Sequence, residues 1–268
     1  MINLKSNSRY LGALFIAPFI LFVFWGGLPL KLFTIVLSAL GMYEFYKALN
    51  QKEMKPIKIA GYIMLALYYL CGNDFEKLMY IFVIGTFLLL IVPVINLKYT
   101  FIDVALTLLG FAYSGVFFSF IYLVNQKSGG NFYVWLIFIG SWITDTAAYY
   151  SGKFFGKHKL CPEVSPKKTI EGSIGGLIGA AIGCTILGVV SNMYIAPIPV
   201  YHYVIIGILC GIFSQFGDLV ASSVKRYVGI KDYSNLIPGH GGIMDRFDSI
   251  LFSGVVVFYY LTFIVNIM

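Results

Sequence analysis

Long apolar runs dominate the chain, and short polar segments separate them. Nine such runs lie near residues 11–30, 32–48, 57–72, 77–96, 101–124, 132–151, 171–191, 203–224 and 250–267. A helix of about 20 apolar residues crosses the roughly 30 Å of hydrocarbon in a bilayer, and in lipid its backbone groups must bond within their own segment. The pattern therefore predicts an all-α, polytopic transmembrane helical bundle of about nine spans, in a single membrane domain over residues 1–268.

The composition agrees with this pattern and excludes an ordinary soluble protein. Of the 268 residues, 59% are hydrophobic and only 12% are charged, whereas a globular surface needs far more charge. The mean hydropathy is +0.84. The net charge of +7 does not predict a nucleic-acid partner, because the chain has no soluble basic domain that could present a binding surface.

Basic residues are concentrated on one side of the predicted membrane. Of the 19 Lys and Arg residues, all except Lys31, Lys77 and Lys127 fall in the N-terminus or in the loops after spans 2, 4, 6 and 8. Cytoplasmic segments of membrane proteins carry an excess of Lys and Arg. The two large polar loops, 151–171 and 225–249, are therefore predicted to open on the cytoplasmic side, where nucleotides are found.

Two aspartates, Asp145 and Asp218, lie inside predicted spans. A charge at the centre of the bilayer costs roughly 2.5–3.5 kcal/mol on insertion scales, so such residues usually have a function. Gln215, Asp218, Ser222 and Lys225 share one helix face, because helix periodicity places such spacings on the same side. A polar face in apolar surroundings predicts a cavity. The alternative is a hydrogen-bonded Asp218 that only holds helices together.

The polar stretch 222–248 combines cations, glycines and carboxylates. Lys225 and Arg226 stand at a helix end, a glycine-rich turn follows, and Asp245 and Asp248 come at positions i and i+3 of the next turn. Mg²⁺ prefers a few carboxylates together with phosphate oxygens, and glycine amides bind anions. The stretch therefore predicts a site for a polyphosphate and Mg²⁺, with a second cation left open.

The same stretch resembles the signature of the phosphatidate cytidylyltransferases, also called CDP-diglyceride synthases. It follows the family pattern S-x-hydrophobic-K-R-x4-K-D-x-small-x2-hydrophobic-P-x-H-G-G-hydrophobic-x-D-R-hydrophobic-D. A second stretch, 145–172, is similar to this family and to its relatives that use CTP as a phosphate donor. It places Asp145, Tyr149 and Lys153 on one helix face and continues to an S-P-K-K-T-x-E-G string. The resemblance covers essentially the whole chain.

The resemblance implies a reaction, its partners and a location. The chain would transfer the cytidylyl group of CTP to phosphatidic acid, giving CDP-diacylglycerol and pyrophosphate. The attacking phosphate monoester is largely dianionic at neutral pH, so it needs no general base. The implied partners are CTP, phosphatidic acid and membrane lipids, and a homodimer is left open. The implied location is the bacterial inner membrane, with the site facing the cytoplasm. The implied division of the chain is N-terminal spans over about 1–130 and a CTP- and metal-binding catalytic half over about 131–268.

The same comparison assigns roles to individual residues. The expected catalytic residues are Asp218, Asp245, Lys225 and Arg226. The expected Mg²⁺ ligands are Asp218, Asp245 and Asp248, with Asp145 as a further candidate. The residues expected to contact CTP or its phosphates are Ser165, Lys167, Lys168, Thr169, Ser222, His240, Gly241, Gly242 and Arg246.

Some of these residues have alternative roles. His240 could shape its loop instead of touching phosphate, and Arg246 could pair with Asp248 or Asp232. The glycines between Gly172 and Gly188 that come after Gly176 are expected to allow close helix packing.

Other functions also remain open at this point. A CTP-dependent polyprenol or lipid kinase, or a CDP-archaeol-type synthase, would share the CTP-binding elements. A transporter would use Asp145 and Asp218 in an ion pathway. The absence of inverted repeats and the dense basic, glycine-rich loop argue against the transporter.

Overall fold

Helices form most of the structure. The computed structural model describes residues 19–72, 74–237, 239 and 241–267. Residues 19–25 are helical and are called α1. The helices that follow are α2 Gly27–Leu49, α3 Lys58–Leu70, α4 Phe75–Ile95, α5 Phe101–Gly110, α6 Phe117–Asn125, α7 Gly130–Phe155, α8 Ile170–Ser191, α9 Val200–Val228 and α10 Met244–Tyr259. A 3-10 turn, Asn50–Lys52, extends α2, and π-helical segments occupy Phe111–Val116 and Tyr260–Ile264.

The predicted helical membrane architecture is confirmed, but the number of spans is not. In the described part of the chain, six helical segments are long and apolar enough to cross a membrane: Gly27–Lys52, Glu76–Ile95, Phe101–Asn125, Ile170–Ser191, Val200–Val228 and Met244–Ile264. Helix α3 is apolar but has only 13 residues. Helix α7 has 26 residues but includes Asp145 and Lys153. Nine spans therefore stay a prediction, and the part of the first predicted span before residue 19 lies outside the described residues.

The turn between the first two helices lies at Gly26, not near residue 31 as the apolar runs predicted. Gly26 has φ 61 and ψ −160, a conformation that glycine adopts readily and other residues rarely do. The amide of Gly27 donates to Oδ1 of Asn125 at 2.9 Å, which fixes this turn against the end of α6. The run stays apolar through the turn, so hydropathy alone misplaces the boundary.

A small β-hairpin corrects the prediction of a purely α-helical chain. Strand β1, Lys159–Cys161, pairs antiparallel with strand β2, Ser165–Thr169, and the hairpin joins α7 to α8. The Thr169 hydroxyl accepts a hydrogen bond from the amide of Gly172 at 3.1 Å and so caps α8. The sequence indicated only a polar loop here, because strands this short show no clear alternation of polar and apolar residues.

Close packing around α8 holds the second half of the chain together. Helix α8 packs against α7 and α9, and α9 packs against α10. Gly179 and Gly183 face side chains of α7, while a Cβ on Gly207 would lie 2.6 Å from backbone atoms of α8. Small residues let helices approach this closely. The predicted packing role of the glycines beyond Gly176 is confirmed.

Candidate active site

A polar cavity of about 480 Å³ lies where α7, β2, α8, α9 and α10 meet. The four aspartates singled out in the sequence all line it, although more than 100 residues separate the first from the last. Three lysines line the same space. The charged lining residues are Asp145, Lys153, Lys167, Lys168, Asp218, Asp245 and Asp248. Asp218 and Asp245, which were both expected among the metal ligands, therefore line the same cavity.

Asp218 of α9 pairs with a lysine from the hairpin. Its Oδ2 atom lies 2.6 Å from Nζ of Lys168, and its Oδ1 accepts a weaker bond from the Ser222 hydroxyl at 3.4 Å. The Lys168 ammonium also donates to the backbone carbonyl of Gln215 at 3.4 Å. The two paired side chains are 33% and 22% exposed, so this ion pair remains open to a ligand.

Asp245, in the first turn of α10, makes three contacts within the protein. Its Oδ1 accepts from Nζ of Lys225 at 2.7 Å, and its Oδ2 accepts from the amides of Tyr233 at 2.8 Å and Gly242 at 2.9 Å. The Asp245 and Lys225 side chains are only 4% and 11% exposed. Asp245 therefore fastens the loop between α9 and α10 onto both helices. Burial raises the pKa of the neighbouring Tyr233 above its ordinary value, so its phenol stays neutral.

Asp248 lies one turn further along α10 and is buried. Its Oδ1 accepts from the amide of Ser249 at 2.8 Å. It lines the same cavity as Asp218 and Asp145. Several carboxylates in one partly desolvated cavity repel one another, and this repulsion favours the binding of further positive charge.

A second cavity, of about 620 Å³, adjoins the polar one and is mainly apolar. Asp145, Asp245 and Asp248 line both cavities, so the two spaces meet at these carboxylates. Arg246 is the one basic residue that lines this second cavity among the described residues. Its apolar walls are Phe19, Phe33, Val36, Leu37, Leu40, Trp142, Leu236, Ile237, Ile243, Phe247 and Ile250.

A profile of the cytidylyltransferase family matches residues 7–264. The chain belongs to this family. A Bacillus subtilis (strain 168) protein named phosphatidate cytidylyltransferase is 37% identical over 263 residues, which cover 94% of this chain and 95% of the relative. A protein of the same name from Staphylococcus saprophyticus is 37% identical over 235 residues, covering 85% of this chain and 87% of its own length. One from Staphylococcus haemolyticus is 35% identical over 260 residues, covering 93% and 95%.

Seven of the fifteen residues expected in the site line the polar cavity: Asp145, Lys167, Lys168, Thr169, Asp218, Asp245 and Asp248. Lys167, Lys168 and Thr169 line it from β2. Ser222 and Lys225 do not line it, but each bonds to an aspartate that does, Ser222 to Asp218 and Lys225 to Asp245. Ser165 stands at the start of β2 and is not among the lining residues. Its contact with CTP stays a prediction.

Arg226 also lies outside the lining of both cavities. Its side chain is exposed, and its guanidinium donates to the carbonyl of Ile230 at 3.4 Å. One residue corresponds to about 100° around a helix. Arg226 therefore points away from the face that carries Asp218 and Lys225, which the simple adjacency of two basic residues does not reveal.

The glycine-rich turn has a different arrangement from the expected anion cradle. Gly241 has φ 83, and the amide of Gly242 donates to Asp245 rather than into the cavity. His240 lies outside the described residues, so both of its suggested roles stay predictions. Arg246 lines the apolar cavity instead of the polar one.

Sequence reasoning missed Glu44, a buried carboxylate of α2 that reaches the start of α10. It is 1% exposed and accepts hydrogen bonds from the amides of Ile243 and Met244. One available indication was a glutamate inside the predicted span 32–48. Its partners, about 200 residues away, have no local pattern that would have identified them.

The donor set at the cavity suits Mg²⁺ in the form that accompanies a triphosphate. Mg²⁺ usually takes one or two carboxylates and completes its shell with phosphate oxygens and water. Asp218 and Asp248 can supply carboxylate oxygens. Asp245 is buried and both of its oxygens accept short bonds from protein groups, whereas Asp218 is a third exposed and bonds to Lys168 and, weakly, to Ser222. In the described residues, no group of three or more His, Cys, Asp or Glu side chains forms a ready-made metal site.

Proposed function

We propose that the chain catalyses the phosphatidate cytidylyltransferase reaction, in which CTP and phosphatidic acid give CDP-diacylglycerol and pyrophosphate. One observation carries this proposal: a polar cavity with three lysines and a mainly apolar cavity with one arginine share the same three aspartates. Such a pair of cavities suits one strongly charged and one amphipathic reactant. Membership of the family and the names of the relatives support the same reaction.

The polar cavity would receive the triphosphate of CTP. Lys153, Lys167 and Lys168 converge on it from two elements, and the first turn of α8, at Gly172 and Ser173, also lines it. Helix N-termini and ammonium groups both attract phosphate. Binding of the nucleotide would take Lys168 partly away from Asp218 and leave that carboxylate available.

The apolar cavity would receive the phosphate, the glycerol and the first carbons of the acyl chains of phosphatidic acid. Phe33, Val36 and Leu40 of α2 contribute a hydrocarbon wall, and Arg246 stands beside the shared carboxylates. The Arg246 guanidinium can bind the phosphate of the lipid in a bidentate manner. The half of the chain before residue 131 would thus form part of the substrate site, not only a support for the catalytic half.

The reaction proceeds by displacement at phosphorus. An oxygen of the phosphatidate phosphate forms a bond to the α-phosphorus of CTP, and the bond from that phosphorus to the bridging oxygen of pyrophosphate breaks. Pyrophosphate leaves with the bonding electron pair, and no proton has to be removed from the nucleophile. The residues of the chain would act by positioning two anions and by offsetting their charge. Bound Mg²⁺, held by Asp218 and Asp248, would supply further charge neutralisation.

The location and orientation follow from the same proposal. The six long apolar helices mark a membrane protein, and the relatives are bacterial. We propose the inner membrane, with both cavities opening toward the cytoplasm, where CTP is available. The excess of Lys and Arg in the loops on the side of the hairpin supports this orientation.

The decisive experiment uses labelled CTP with the purified chain in phosphatidate-containing vesicles. Label at the α-phosphorus is expected in the lipid product, and label at the γ-phosphorus in released pyrophosphate. Omission of phosphatidate should abolish pyrophosphate release. Transfer of the γ label to lipid would instead establish a kinase and overturn the proposal.

A further inference from the structure

Glu44 is a charged residue in an apolar helix, and its carboxylate is almost completely removed from solvent. It lies in the second half of α2 and is 1% exposed. A buried carboxylate is tolerated only when several donors satisfy it. Its donors therefore show what it does.

Among the residues that the structure describes, the donors to Glu44 belong to the loop before α10 or to the start of that helix. Oε1 accepts from the Ser234 hydroxyl at 2.6 Å and from the Ile243 amide at 3.0 Å, and Oε2 accepts from the Met244 amide at 2.8 Å. These amides are among those that a helix N-terminus leaves without an intrahelical partner. A carboxylate there also interacts favourably with the helix dipole. Glu44 thus caps α10 from a different helix.

Gly242 shows how closely this cap fits. A Cβ on Gly242 would lie 2.5 Å from both carboxylate oxygens of Glu44, which is too short for any real contact. The amide of the same residue donates to Asp245 at 2.9 Å. The turn therefore passes between two carboxylates, and a side chain at Gly242 cannot fit while Glu44 is in place.

Glu44 and Asp245 hold the same segment from opposite sides. Glu44 binds the loop and the first amides of α10, and Asp245 joins that loop to Lys225 of α9. The next turn of α10 carries Asp248 at the point where the two cavities meet. A shift of the helix start would move both aspartates together.

We propose that Glu44 is a positioning residue for the transferase reaction: it fixes the first turn of α10 so that Asp245 and Asp248 face the reacting phosphates. Glu44 lines neither cavity, so it acts through α10 and not by contact with a substrate. This inference rests on the proposed function. It also assigns the helices before residue 131 a direct part in forming the catalytic centre.

The test compares Glu44→Gln with a control that loses a similar buried cap elsewhere. Asp103 of α5 is 5% exposed and accepts from the amides of Lys55 at 2.6 Å and Thr100 at 2.8 Å, but it lines neither cavity. We expect Glu44→Gln to lower kcat/KM for CDP-diacylglycerol formation by about 10-fold to 100-fold, the range for losing a charged hydrogen bond. Asp103→Asn should keep kcat/KM within about 3-fold of the unmodified chain, although its loss of thermal stability should be similar to that of Glu44→Gln.

A double-mutant cycle with Gly242 adds a readout that a general loss of stability would not change. Gly242→Ala should be strongly impaired alone, because its Cβ meets Glu44, yet should add little to Glu44→Ala. Hydrogen exchange at the amides of Ile243 and Met244 should accelerate in Glu44→Gln. Two results would overturn the positioning role: additive losses of kcat/KM in the Glu44 and Gly242 double mutant, or equal losses of kcat/KM in Asp103→Asn and Glu44→Gln.

These outcomes are separable from failure of the proposed function. If the unmodified chain forms no CDP-diacylglycerol, the proposed function is wrong, whatever Glu44 does. If the unmodified chain is active and Glu44→Gln equals it in activity and hydrogen exchange, only the positioning role is wrong.

Discussion

At the scale of single residues, the aspartates of the site differ in what surrounds them. Asp218 is partly exposed and meets one lysine, whereas Asp245 is buried and meets one lysine and two amides. The family resemblance predicted the same catalytic and metal-binding roles for both residues. The sequence predicted the helix face on which Asp218 lies from its spacing to Gln215, Ser222 and Lys225. It did not predict the partner of Asp218, because Lys168 belongs to a hairpin 50 residues earlier in the chain. Such a partner depends on tertiary structure alone.

This difference predicts that Asn substitutions at the two positions separate activity from stability. Asp245→Asn leaves the Lys225 ammonium buried without its counter-charge, which costs about 3–5 kcal/mol for a buried pair. Asp218→Asn breaks a pair that is about a third exposed, so its effect on stability should be small. Both variants should lose CDP-diacylglycerol formation.

The measurement is thermal unfolding in detergent beside the activity assay. Asp245→Asn should unfold at a clearly lower temperature, while Asp218→Asn should unfold close to the unmodified chain. Equal stability of the two variants would contradict the separate roles that the contacts indicate.

At the scale of elements, hydropathy predicted the helices well and their ends less well. The apolar runs near 101–124 and 171–191 match helical segments within one residue. By contrast, the turn between α1 and α2 was predicted too late in the chain, and helix α9, Val200–Val228, extends beyond both ends of the predicted span 203–224. Helix ends depend on caps and on tertiary contacts such as that of Asn125 with Gly27, which hydropathy does not contain.

The contact between α8 and α9 gives a prediction at this scale. A Cβ on Gly207 would press on backbone atoms of α8, which cannot rotate away as a side chain can. Gly207→Ala should therefore separate the helices, move Asp218 away from Lys168 and lower both the unfolding temperature and kcat. Overpacking of this kind costs about 1–3 kcal/mol.

Gly254 of α10 is the matched control, because its nearest neighbour would lie 3.4 Å from an added Cβ, an ordinary contact. Gly254→Ala should keep stability and activity near those of the unmodified chain. If the two variants behave alike, the close approach of α8 and α9 does not matter for the site.

At the scale of the whole molecule, two cavities meet at three carboxylates that belong to two helices, α7 and α10. The family resemblance predicted the acidic and basic residues of the polar cavity. It did not predict the apolar cavity, because its walls come from both ends of the chain and look like ordinary membrane-spanning residues. Phe33, Val36 and Leu40 differ in no sequence feature from apolar residues that face lipid.

Filling the apolar cavity should therefore affect one substrate and spare the other. Val36 lines this cavity and is 51% exposed, so Val36→Trp should obstruct its edge without disturbing the core. We expect the apparent KM for phosphatidate in mixed micelles to rise by about 10-fold, equivalent to about 1.4 kcal/mol, with the KM for CTP unchanged. Val94→Trp on α4, 79% exposed and remote from both cavities, is the control. A matching rise in the KM for CTP would contradict the assignment of the two substrates to separate cavities.

The limited size of the apolar cavity has a wider consequence. A space of about 620 Å³ is in the range that encloses a drug-sized molecule, so under the proposed function it would take the glycerol and the first carbons of phosphatidic acid but not two complete fatty acids. The remaining methylenes would stay among neighbouring lipids, where the protein could not select their length. Under the proposed function, the fatty acids of newly made membrane would mirror those already supplied upstream, and any control over tail length would belong to the acylation steps.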